Sequence, residues 1–69
     1  MESQKPPLTT PVALLKAALA KEQQAHDFYE QAIRSCKITL VRELLETLKD
    51  EESRHVRLVR EMLAKLELG

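Results

Sequence analysis

The chain has 69 residues, enough for one small domain and too few to bury a large share of its surface alone. Its 11 basic and 11 acidic side chains balance. That leaves no basic footprint for nucleic acid, and no apolar run approaches the length of a membrane span. One cysteine excludes an intrachain disulfide and a four-thiolate metal site. A single glycine and two aromatic residues, in a chain rich in Ala, Leu, Glu, Lys, Arg and Gln, favour helix over strand.

Residues 1–9 are polar, contain Pro6-Pro7 and offer nothing to bury. They read as a flexible N-terminal arm. The remainder, residues 10–69, reads as one helical hairpin. Thr10-Pro11 has the form of a helix start, with Thr10 as N-cap and Pro11 at the first helical position, where a missing N–H costs nothing. The first helix is predicted from about residue 11 to about residue 35. Ala18-Leu19-Ala20 mimics a signal-peptide cleavage site, but Lys16 interrupts the preceding apolar run. The segment therefore reads as helix, and the chain is expected to be cytoplasmic.

Along this helix Val12, Leu15, Leu19, Glu22, His26, Tyr29, Ile33 and Cys36 recur at alternating steps of three and four, the spacing of a core stripe. Ala18, Ala25 and Ala32 flank the stripe, so another helix can approach closely. Lys16, Gln23, Asp27, Glu30 and Arg34 form the expected solvated face. The stripe is apolar at its ends and polar in the middle, where Glu22, His26 and Tyr29 fall on consecutive core steps.

Residues 35–39 break the pattern without Gly or Pro, and Thr39 is placed to cap the next helix. That helix is predicted from about residue 39 to about residue 68. A short connection makes the two helices antiparallel neighbours. The second stripe is Val41, Leu45, Leu48, Glu52, His55, Val59, Met62 and Leu66, widened by Leu44, Leu58 and Leu63. Arg42, Glu46, Lys49, Arg57, Arg60 and Lys65 fall on its solvated side. The middle is again polar, with Glu52 and His55 one helical turn apart. Counted outward from Lys37, Glu22 and Glu52 are equally distant, roughly 22 Å along each helix at ~1.5 Å per residue. Both carboxylates therefore lie at one level, facing inward.

A lone Glu-x-x-His is common on charged helices. Here it falls on a core stripe, level with another carboxylate. One hairpin cannot cover two such stripes, and a second copy packed against it gives an antiparallel four-helix bundle. Two copies supply four carboxylates and two imidazoles. That is the ligand set of the di-iron and di-manganese carboxylate bundles. Two divalent cations offset the four negative charges, and oxygen and imidazole donors suit Fe, Mn or Zn. Glu51 lies off the stripe and is expected to face solvent.

Lys21 to Gln31 (KEQQAHDFYEQ) and Lys49 to Val56 (KDEESRHV) resemble the metal-binding helices of rubrerythrin-like members of the ferritin-like superfamily. They are most similar to encapsulated ferritins, whose two-helix subunits complete a di-iron site between subunits. The marks are Glu22 followed seven residues later by Tyr29, and the Asp-Glu-Glu-x-x-His run from Asp50 to His55. The resemblance spans about residues 14–66. It implies an all-α hairpin that dimerises into a ferritin-like four-helix bundle holding two iron ions per dimer. Glu22, Glu52 and His55 correspond to its iron ligands, with Glu52 bridging, and Tyr29 stands close behind them.

The implied activity is ferroxidase-type oxidation of Fe(II) by oxygen or peroxide. The implied partners are a second copy, a larger ring of copies and an encapsulating protein shell. His26 lies outside the family pattern and is the one additional ligand candidate. Lys21 and Gln24 replace acidic residues of an iron access route, and one cysteine cannot supply a rubredoxin-like module. The competing reading is a non-enzymatic hairpin that dimerises or docks on a partner helix, its polar middle fixing register.

Overall fold

A computed structural model describes residues 10–68. The nine-residue arm expected at the N-terminus lies outside them. Among the described residues there are two helices and no strand. They are α1, Pro11–Ser35, and α2, Thr39–Leu68, packed against each other as a hairpin. Neither helix is long and apolar enough to cross a membrane.

The start of α1 follows from Thr10-Pro11. Thr10 is extended (φ −104°, ψ 149°) and its hydroxyl accepts from the Ala13 N–H at 3.1 Å. Its carbonyl accepts the first helical bond, from Leu14 N–H at 2.9 Å. This satisfies donors that a helix start otherwise leaves open, and Pro11 has none to satisfy. At the other end Ser35 turns its hydroxyl back onto the carbonyls of Gln31 and Ala32, at 3.2 and 3.4 Å. Cys36 leaves the helix in extended backbone (φ −91°, ψ 130°). Among the described residues no backbone enters the positive-φ region, so the connection needs no glycine. The Cys36 thiol donates to the Ile38 carbonyl at 3.6 Å, which ties the turn together.

The second cap differs from the sequence reading. Ile38 is the residue whose carbonyl opens α2, accepting from Arg42 N–H at 2.9 Å, and Thr39 is already helical. Once Thr39 has helical backbone its side chain no longer occupies the capping position.

The α1 stripe packs as its spacing predicts. Val12, Leu15, Leu19, Glu22, His26, Tyr29 and Cys36 are half-buried, and Ile33 is buried. On α2 the covered line is rotated from the expected one. Leu45, Leu48, Glu52, Val56, Val59 and Leu63 face α1, with Leu63 the most buried. Val41, Met62 and Leu66, expected in the core, are exposed in the single chain, as are Leu44 and Leu58. Lys49 and Gln23, expected on solvated faces, are half-buried. The physical reason is that the apolar band on α2 is wider than one neighbouring helix can cover. The hairpin takes one edge of it and leaves the other open.

Candidate metal centre

The polar middles of the two helices meet. Glu22 comes from α1, and Glu52 and His55 come from successive turns of α2. His55 Nδ1 lies 3.3 Å from Glu22 Oε1 and 3.6 Å from Glu52 Oε1. One ligand-type atom from each of the three lies within 4.8 Å of the others. The side chains are 31%, 18% and 47% exposed for Glu22, Glu52 and His55. Glu52 is thus the deepest, and His55, read from sequence as buried, opens to solvent in one hairpin.

The electrostatics follow from placing two carboxyl groups together. The Glu22 carboxyl is held below the ordinary carboxylate range by its hydrogen bond with Glu52, helped by His55 and opposed by burial. Glu52 is pushed above that range by the same hydrogen bond, then by burial and by the Glu22 charge. The opposite directions are those of one coupled pair of carboxyl groups, the more enclosed member being the harder to ionise. Glu52 Oε1 is nevertheless buried with no hydrogen-bond partner, an arrangement that costs free energy unless something else satisfies the oxygen.

The remaining singled-out residues fall elsewhere. His26 is not brought into the set. Its Nδ1 lies 3.6 Å from Asp27 Oδ1, and it groups with Asp27 and Glu30 along α1. Sequence reasoning left Asp27 and Glu30 on the solvated face, although spacings of three and four from Glu30 carried the signal. Tyr29 is half-buried and meets Phe28 edge-on, with ring centroids 5.4 Å apart. Glu51 is exposed. Cys36 is a free, half-buried thiol at the turn.

Two carboxylates and an imidazole converging from both helices of a hairpin are the donor types that carboxylate-bundle proteins use to hold metal between helices. The rubrerythrin family model matches residues 13–69, and the chain belongs to that family. No curated protein and no solved structure matches it. Iron is the metal that this family implies, and the chain's own residues fit it. The donors are nitrogen and oxygen without thiolate, and the deepest carboxylate keeps an oxygen with no hydrogen-bond partner.

Proposed function

We propose that two copies of this chain share a di-iron centre and use it for ferroxidase-type oxidation of Fe(II) by oxygen or peroxide. Each copy contributes Glu22, Glu52 and His55. The observation that carries this reading is the convergence of three donor side chains from two helices within 4.8 Å, one bearing a buried oxygen with no partner. Three protein donors per hairpin are fewer than two iron ions require, and a second hairpin doubles the set.

When bound, the iron pair supplies the redox chemistry, passing electrons from Fe(II) to the oxidant. The chain's residues do the rest. Metal binding favours the ionised form of both carboxylates, Glu52 being the harder of the two to ionise. His55 presents Nδ1 toward the carboxylates and sits on the open side of the hairpin. Tyr29, to which the resemblance gives a place near the site, lies on the same half-buried stripe of α1 and meets Phe28 edge-on. Manganese and zinc suit the same donors. A larger ring and a surrounding shell are supported by the resemblance alone.

The test is elemental analysis of protein purified without chelator, with thermal unfolding at increasing Fe(II) and an Fe(II) oxidation assay. About two metal ions per dimer are expected. Protein that holds no metal and gains no thermal stability from iron, manganese or zinc would return the chain to the docking-hairpin reading.

A further inference from the structure

The turn end of the hairpin carries a surface that the proposed centre does not use. Ile38, Leu40 and Val41 are 64%, 76% and 43% exposed. They fall within four consecutive residues, so they crowd one end of the molecule instead of lying scattered over it, as single exposed apolar residues ordinarily do. The same end carries charge of one sign. Between Glu30 and Glu43 the only charged side chains are Arg34, Lys37 and Arg42. All three are exposed, and none makes an ion pair among the described residues. The chain as a whole is neutral. Positive charge is therefore gathered at the turn, and the other residues carry the balancing excess of acids.

The sequence here does not serve the helix it begins. α2 opens on Ile38, which has no side-chain oxygen to cap with, and no acid stands in its first turn. Arg42 is in that turn, where the positive end of the helix dipole disfavours a cation. Ser, Asp or Asn at the cap would serve α2 better. Residues that break local rules with no gain to the fold are expected where a surface is kept for another purpose. The turn is also held in shape. The Ser35 hydroxyl is bonded back to Gln31 and Ala32, the Cys36 N–H to the Ile33 carbonyl at 3.4 Å, and the Cys36 thiol to the Ile38 carbonyl. A surface fixed beforehand loses little freedom on contact.

We propose that this end docks an acidic segment of another protein, one that carries apolar side chains among its carboxylates. Ile38, Leu40 and Val41 give up their exposed area to the apolar side chains. Arg34, Lys37 and Arg42 meet the carboxylates around them, which sets the choice of partner and speeds its arrival. An anionic bilayer fits less well. Three cations fall short of the roughly four to eight that mark such attachment, and a rigid end with three aliphatic residues has little apolar face to bury in lipid. Ile38 stands 14 residues from Glu52 along α2, roughly 21 Å at 1.5 Å per residue. Docking therefore leaves the donor set clear, and the proposal does not depend on the metal reading.

The experiment is selection of a displayed random-peptide library on the full chain, with counter-selection on Leu40→Ser. The selected peptides are then titrated by fluorescence anisotropy. They are expected to combine Asp and Glu with Leu, Ile or Phe. Leu40→Ser is expected to weaken them at least about tenfold as a lost apolar anchor. Lys37→Glu is expected to weaken them several-fold and to flatten the salt dependence. Lys37 lies between the helices, so its substitution tests the surface without disturbing either, and circular dichroism confirms that both variants stay helical. Iron per chain is expected to match wild type in both. Four outcomes overturn the proposal. Peptides without acidic residues, or none that distinguish wild type from Leu40→Ser, remove the acidic partner. Phosphatidylserine–phosphatidylcholine vesicles that bind wild type and not Lys37→Glu assign the surface to lipid. Sedimentation showing self-association lost in Leu40→Ser assigns it to a second copy.

Discussion

Among the described residues the chain carries two clusters of metal-type donors, and they are built differently. Glu22, Glu52 and His55 come from two helices and are 33 residues apart at their widest hydrogen bond. His26, Asp27 and Glu30 come from one stretch of α1. Donor type is the same in both, and so is donor spread, within 4.8 Å. The difference is enclosure. Glu52 is 18% exposed with an unpartnered buried oxygen, whereas Asp27 is 75% exposed and water can satisfy it at no cost. Donor identity alone therefore does not distinguish a cation site from a polar helix face. What separates them is whether the fold has removed the water that would otherwise compete.

The largest expected effect tests that distinction directly. Iron at 100 times its dissociation constant stabilises the folded form by about 2.7 kcal/mol. In a domain this small that is a rise of roughly 10–20 °C in melting temperature. Glu52→Ala is expected to abolish both the rise and the bound metal while circular dichroism stays helical. A variant that kept its iron would break the comparison. His55→Ala comes next. It removes a donor outright, so its affinity loss, read by metal titration, is expected to exceed the roughly 10–100-fold typical of losing a supporting partner. His26→Ala is expected to leave iron content and affinity unchanged, and an affinity loss like that of His55→Ala would put the two clusters on equal terms. The smallest effect lies far from both. Thr10→Ala removes the side-chain cap of α1 and is expected to cost about 1 kcal/mol in denaturant unfolding, without altering iron per chain.

Sequence patterning exposed the two helices and their meeting point because both depend on local spacing and on counting from a short turn. Glu22 and Glu52 are equidistant from Lys37, and a carboxylate oxygen of each lies within 4.8 Å of the other. The start of α1 was legible for a similar reason, since Thr10-Pro11 acts through bonds to its own next residues. The second cap was not. Ile38 opens α2 with a backbone carbonyl, a group every residue owns. The rotation of α2 was also hidden. Its apolar band spans Leu44 to Leu63 on more than one face, and periodicity alone does not say which edge a neighbour covers. The covered edge proved to be Leu45, Val56 and Leu63, leaving Leu58 and Met62 outside. His55, read as a core position of a two-copy bundle, is half exposed in the single hairpin for the same reason.

Only Ile33 and Leu63 are buried among the described residues, and neither completely. A hairpin with so little interior has scant reason to persist once separated from a second copy. In the proposed pair, folding and pairing become one event, and the unfolding midpoint is expected to climb as the protein is made more concentrated. Exchange of chains between existing pairs would pass through an uncoiled intermediate. The pace of mixing between labelled and unlabelled protein would then be set by how fast a whole hairpin melts.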